Sequence, residues 1–110
     1  METVNQKQIE RIRIMECAYH KAAAALDALQ RALTDYEAAL PQFQMLAGYL
    51  ESPEWLQDYD ADAQGLIPAS IPRGVLSQDA LYDLLSAHRD LPNTMRCLEE
   101  KMSDARSDAN

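Results

Sequence analysis

The chain has 110 residues, of which 47% are hydrophobic, and this length suits one domain with a single modest core. Its 17 alanines, against seven valine and isoleucine residues and three glycines, favour helices over a turn-rich β architecture. The formal net charge of −8 argues against binding to nucleic acids or anionic membranes, which are themselves negatively charged.

The compartment is predicted from the same sequence features. The N-terminal segment lacks the apolar core of a signal peptide, and no apolar run is long enough to span a membrane. The two cysteines lie 80 residues apart and predict no disulfide framework. We therefore expect a cytoplasmic protein that binds neither membrane nor nucleic acid.

Residues 1–40 predict one long helix, because their apolar residues recur at alternating spacings of three and four, the a and d positions of a heptad repeat. These residues are Ile12, Met15, Tyr19, Ala22, Leu26, Leu29, Leu33, Tyr36 and Leu40. The g positions are alanines, which widen the apolar stripe: Ala18, Ala25, Ala32 and Ala39. We expect two neighbours for this helix. The C-terminal helix would lie on the a/d seam, and either the short helices of the same chain or a second copy in a homo-oligomer would cover the alanine edge.

Short helices are predicted over residues 42–64. Pro41 has no amide donor, so it is expected to end or kink the long helix. A second helix start is indicated at Ser52, which can cap the helix, and Pro53, which suits its first turn. This helix is expected to end near Gly65.

Residues 65–76 predict an ordered loop, because apolar residues that can pack lie between its prolines and glycines. They are Leu66, Ile67, Ile71, Val75 and Leu76. Ser77 is expected to cap a final helical region over residues 77–105, with a kink at Pro92. That region has a seam of its own, formed by Leu81, Leu84, His88, Leu91, Met95, Leu98 and Met102. The sequence thus predicts a single all-α domain over 1–110, in which the long helix packs antiparallel on a kinked C-terminal helix.

A distinctive set of residues lies between positions 49 and 85: Ser52, Trp55, Asp58, Asp62, Gly65, Pro68, Arg73, Gly74, Val75, Leu76, Ser77 and Asp79. In this arrangement the chain resembles a small bacterial family of unknown function. Gln78 and Pro72 depart from that family's usual glutamate and lysine, so the resemblance implies no basic contact at Pro72. It implies a soluble, cytoplasmic, helical protein and supplies no activity.

Residues 41–72 hold five acidic residues and no lysine or arginine, so most of the net charge is local. A calcium loop that began at Asp58 would need glycine at its sixth position and glutamate at its twelfth. The chain has Ala63 and Ala69 there, so the alternating aspartates are a weak calcium signal.

A helix explains the acidic spacing better. Glu54, Asp58 and Asp62 fall at i, i+4 intervals on one face, and Trp55 and Tyr59 fall together on the neighbouring face. Like charges at this spacing oppose the helix, so a basic group should offset them. We expect Arg73 to fold back onto Asp58 or Asp62 and fix the loop, with a solvated acidic face as the alternative.

The sequence gives little support for a metal site or a catalytic site. Cys17, His20, His88 and Cys97 could together supply zinc ligands, but they lie on diverging helix faces. Ser77 belongs to no nucleophile motif, and helix capping explains it. The chain has no phosphate-binding loop or dinucleotide fingerprint. We expect a non-enzymatic protein without a metal or cofactor.

The function that fits these features is a protein-interaction module with an acidic surface, whose partner is basic. The predicted contact residues are Trp55, Asp58, Tyr59, Asp62, Arg73 and Gly74. Two alternatives stay open: an acidic inhibitor of the antitoxin or immunity type that blocks a basic site, and a small-ligand binder or minor enzyme with a pocket around Trp55.

Overall fold

A computed structural model describes the backbone of residues 4–108 and the side chains of residues 4–105. This part of the chain consists of helices and connecting segments, without a β-strand. The α-helices are α1 (Gln6–Leu50), α2 (Pro53–Ala63) and α3 (Gln78–Asp108), and a 3-10 turn (Gly74–Leu76) precedes α3. The predicted all-α class, with a long N-terminal helix and a C-terminal helix, is confirmed.

The first helix does not end at Pro41, as one form of the prediction had it. Pro41 lies inside α1, which continues to Leu50. Proline in a helix interior costs about 3 kcal/mol or more, so burial elsewhere has to offset it. Leu46, Tyr49 and Leu50 supply that burial, because they are half-buried against a hydrophobic core. A separate helix from residue 42 is therefore wrong, and a kink at Pro41 stays a prediction.

Two compact units follow one another along the sequence, and the first ends at Pro41. In this first unit Asn5 caps α1, because its Oδ1 accepts a hydrogen bond of 2.8 Å from the backbone N–H of Gln8. Seven large apolar side chains of the predicted seam are 40–65% exposed: Ile12, Met15, Tyr19, Leu26, Leu29, Leu33 and Leu40. The heptad pattern therefore forms an apolar stripe on the surface of the chain.

The second unit begins at Gln42 and contains a small hydrophobic core. Trp55 from α2, Leu76 from the 3-10 turn and Leu81 from α3 are its buried side chains. Around them pack the half-buried residues Leu46, Tyr49, Leu50 and Leu85. The predicted loop is thus ordered, but of its apolar residues only Leu76 is buried, whereas Leu66, Ile71 and Val75 are exposed.

The last helix begins as predicted. The Ser77 hydroxyl accepts a hydrogen bond of 3.3 Å from the backbone N–H of Ala80, which caps α3. Pro92 lies inside α3, and the kink there stays a prediction, as does antiparallel packing of the first helix on the last. Within the described residues, no helix has the length and apolarity that crossing a membrane requires.

Candidate protein-interaction surface

The turn between α1 and α2 is fixed by Ser52. Its hydroxyl donates to the backbone carbonyl of Tyr49 at 2.6 Å and accepts from the backbone N–H of Trp55 at 3.4 Å. Pro53 occupies the start of α2 and Glu54 its first turn, where a negative charge favours the helix dipole. The predicted start of this helix is confirmed, and its cap joins the two helices directly.

Trp55 is the centre of the core rather than an exposed contact residue. It is 7% exposed, and its indole Nε1–H donates a hydrogen bond of 2.9 Å to the backbone carbonyl of Val75. Its ring stacks on that of Tyr59 with the centroids 5.2 Å apart, as expected from their i, i+4 spacing. The indole thus ties α2 to the segment before α3.

The end of α2 is a Schellman motif. The N–H of Gly65 donates to the carbonyl of Asp62 at 3.0 Å, and the N–H of Leu66 donates to the carbonyl of Ala61 at 2.9 Å. Gly65 has a φ of 73°, a left-handed conformation that favours glycine. The predicted helix end near Gly65 is therefore confirmed, and the motif sets the direction in which the following loop leaves.

Glu54, Asp58 and Asp62, which we call the acidic face, lie on α2 at the predicted spacing. Asp58 does not pair with Arg73. Its carboxylate instead accepts a hydrogen bond of 2.6 Å from the hydroxyl of Tyr49 near the end of α1. That hydrogen bond, together with desolvation and the negative charge of Asp58, raises the pKa of Tyr49 to about 12.

Tyr49 should therefore ionise later than an ordinary tyrosine. Its raised pKa means that folding favours the neutral phenol, so this stabilisation is complete below pH 10 and is lost between pH 10 and about 12. An ultraviolet absorbance titration of phenolate, with Tyr49→Phe to assign the signal, should place its ionisation near pH 12. Asp58→Ala should return it towards 10, and a Tyr49 signal already near pH 10 in the wild type would contradict the hydrogen bond.

Asp62 of the acidic face is also held by a side chain from outside α2. The guanidinium Nη1 of Arg73 lies 2.8 Å from Asp62 Oδ1, so the predicted return of Arg73 onto α2 is confirmed with Asp62 as its partner. Both side chains keep part of their surface in solvent, at 39% for Arg73 and 29% for Asp62. The ion pair thus connects the end of the loop, just before the 3-10 turn, to α2.

Removing the ion pair should have a small, salt-dependent effect. For Arg73→Ala we expect a loss of about 0.2–1 kcal/mol in the free energy of unfolding at low ionic strength, because partly exposed pairs are screened by water and salt. The loss should shrink in high salt. Denaturant unfolding at two ionic strengths measures it, with Arg31→Ala as a control that removes a local pair within α1, to Asp27. An unchanged stability at low salt would count against a role of Arg73 in holding the loop.

Exposed apolar side chains lie near the acidic face. Leu56 on α2 and Leu66 just after it are largely exposed, and Tyr59 is 42% exposed although its ring also contacts Trp55. Gly74 begins the 3-10 turn next to Arg73, and no side-chain atom lies within 4 Å of the position of a Cβ there. The surface therefore combines fixed negative charge with apolar area, the combination that basic amphipathic segments bind.

Cys17, His20, His88 and Cys97, which were considered as zinc ligands and rejected, form no metal-binding group among the described residues. No group of three histidine, cysteine, aspartate or glutamate side chains in that part of the chain is placed to hold a metal ion. Cys17 and Cys97 are free and exposed. His20 lies 3.3 Å from Glu16 on its own helix.

A groove in the second unit lies between the end of α1 and the start of α3. Its volume is about 450 Å³, and its walls include Ala47, Leu50, Tyr82 and Leu85. Within it the rings of Phe43 and His88 stack with centroids 4.0 Å apart. His88, a residue of the predicted C-terminal seam, therefore has an aromatic partner in Phe43. Trp55 does not line this groove.

Two contacts of the surface escaped sequence reasoning. Tyr49 lies near the end of α1, and its hydrogen bond to Asp58 crosses the turn at Ser52, a contact that helical periodicity does not predict. The carbonyl of Val75 is a backbone group, so no residue type announces it. Because the N–H of a buried tryptophan usually has a hydrogen-bond acceptor, the sequence could have predicted an acceptor for Trp55 but not which one.

No curated protein and no solved structure matches the sequence. A family profile described as a domain of unknown function (DUF4298) matches residues 12–98, which cover most of α1, all of α2, the loop and most of α3. The chain therefore belongs to the DUF4298 family.

Proposed function

We propose that the protein is a non-enzymatic, cytoplasmic interaction module that binds a basic protein segment through α2. The contact surface consists of the acidic face together with Tyr59, Arg73 and Gly74. The observation that carries the proposal is that two of the three acids of this face are anchored, Asp58 by Tyr49 and Asp62 by Arg73. Anchored charges lose less conformational freedom on binding than mobile ones, so the surface is preorganised for a partner.

Charge supports a basic partner. Residues 41–72 carry five acidic side chains and no lysine or arginine, so the potential around α2 is negative. Complementary charge steers association and makes it sensitive to salt, because surface charges are screened beyond about 10 Å at 0.1 M ionic strength. The cytoplasmic placement is supported by the two exposed free cysteines, since exposed thiols persist in reducing compartments.

Affinity capture from the native cells at low ionic strength tests this function. The test variant is Glu54→Gln/Asp58→Asn/Asp62→Asn, which removes three charges and keeps hydrogen-bond acceptors at the same positions. The control is Glu99→Gln/Glu100→Gln/Asp104→Asn, which removes the same charge from exposed positions on α3. Trp55 fluorescence verifies that the core is intact in both.

The proposal predicts that the wild type and the α3 control retain the same stoichiometric partner and that the α2 variant loses it. If the captured partner is an enzyme whose basic active site the module blocks, the module is an inhibitor. If the partner is any other basic protein, the module is an adaptor. Equal capture by all three chains, or no partner for any of them, would refute an interaction role for the acidic face.

A further inference from the structure

We propose that the apolar stripe of α1 before Pro41 is the interface of an antiparallel homodimer. The stripe is one face of α1, and the described residues of this unit, 4–41, form no other helix. Its large side chains are 40–65% exposed: Ile12, Met15, Tyr19, Leu26, Leu29, Leu33 and Leu40. This interface is separate from the acidic face on α2, so the two proposals stand or fall independently.

The area of the stripe is sufficient for a stable dimer. Covering one large apolar side chain removes roughly 60–120 Å² of surface from water, by the usual relation between area and transfer free energy. Seven such side chains on each of two copies would bury roughly 800–1,700 Å² in all, which reaches the range of about 1,200–2,000 Å² found for specific interfaces. The alanines at the g positions add to it and allow the two backbones to approach.

The charges of α1 select the antiparallel orientation. Residues 4–22 carry four bases and two acids, a net +2, whereas residues 23–41 carry one base and three acids, a net −2. An antiparallel second copy places each positive half beside a negative half, and the opposed helix dipoles are also favourable. A parallel copy would place the two positive halves beside each other and the two negative halves beside each other.

The negative charge of residues 41–110 also favours the antiparallel orientation. The net charge of residues 41–110 is −7, because residues 1–40 contribute −1 to the total of −8. In an antiparallel pair these acidic segments leave the paired helices at opposite ends, about 50 Å apart for roughly 33 paired residues at 1.5 Å each. A parallel pair would start both of them at the same end and repel.

The heptad pattern also selects a register. In antiparallel pairs each a residue faces a d residue, so Met15 can face Leu33 of the second copy and Tyr19 can face Leu29. Along the flanks Ala25 then faces its own equivalent, and Glu16 lies opposite a glutamine. A shift by one heptad would set Glu16 against Glu37 and bring two like charges together.

Sedimentation equilibrium of the full chain tests the dimer. We expect a mass of twice 12.4 kDa for the wild type and of 12.4 kDa for Leu26→Asp, which places a charge in the seam. Ala24→Asp adds the same charge at an exposed f position and should stay dimeric. A monomeric wild type at about 100 μM, a larger oligomer, or an equal effect of both variants would overturn the proposal.

Cross-linking with a short bismaleimide tests the orientation, in a Cys17→Ser/Cys97→Ser background. A mixture of Met15→Cys and Leu33→Cys chains should give a mixed cross-linked dimer, whereas either chain alone should give none. Efficient cross-linking of Met15→Cys with itself would show a parallel pair and overturn the antiparallel assignment. Trp55 fluorescence in each variant confirms that the second unit has folded.

Discussion

Replacing Trp55 by alanine should lower the free energy of unfolding of the unit that begins at Gln42 by about 3–5 kcal/mol, the usual cost of truncating a buried aromatic side chain. Trp55 is 7% exposed and is the largest of the three buried side chains that the described residues contribute to the core, the others being Leu76 and Leu81. Its loss leaves a cavity and leaves the carbonyl of Val75 without its indole donor. A core this small has little stability in reserve, so the variant is expected to be largely unfolded beyond α1.

The measurement is denaturant unfolding followed by far-ultraviolet circular dichroism, which does not depend on the indole. Leu56→Ala is the matched control, because Leu56 is the next residue on the same helix and is 57% exposed. We expect its effect to stay within about 0.5 kcal/mol, as for other surface substitutions. Equal losses for the two variants would show that Trp55 does not hold this unit together.

Leu81→Ala is expected to have the second-largest effect, a loss of about 2–5 kcal/mol. Leu81 is the most buried of the three core residues, at 4% exposed, and it lies in the first turns of α3 against Trp55 and Leu76. Because it joins α3 to the core, its truncation should loosen the start of α3 as well as the cavity around the indole.

Leu84→Ala provides the comparison for Leu81, since Leu84 lies three residues further along the same helix and is 46% exposed. Chemical denaturation followed by Trp55 fluorescence reports both variants. The structure predicts that Leu84→Ala costs clearly less than Leu81→Ala, about half of it by the area that leaves water on folding. Similar costs for the two would mean that the core lies elsewhere along the seam.

Local chemistry explains why much of the architecture could be predicted. Ser52, Ser77 and Gly65 act at helix ends through hydrogen bonds or φ angles that single residue types favour, and all three were identified correctly. The pairing of Arg73 with the acidic face could also be predicted, because the neighbouring 41–72 segment offers the acids no base of their own.

The errors came from tertiary contacts. Pro41 is unfavourable in a helix, but α1 continues through it, since the residues after it are held by the core of the second unit. The apolar residues of the loop were expected to pack, yet only Leu76 reaches the core. Likewise, the i, i+4 spacing of Glu54, Asp58 and Asp62 predicts a shared face of α2 but does not show that Tyr49 of α1 anchors Asp58.

The most direct test of the account is the affinity of the chain for its captured partner, measured by isothermal titration calorimetry at low and high ionic strength. We predict that binding weakens as salt rises and that Glu54→Gln/Asp58→Asn/Asp62→Asn weakens it about tenfold or more at low salt, a loss of about 1.4 kcal/mol. The α3 control with Glu99, Glu100 and Asp104 neutralised should bind like the wild type. An affinity that is unaffected by salt and by the α2 substitutions would contradict the claim that the acidic face is the working surface of this protein.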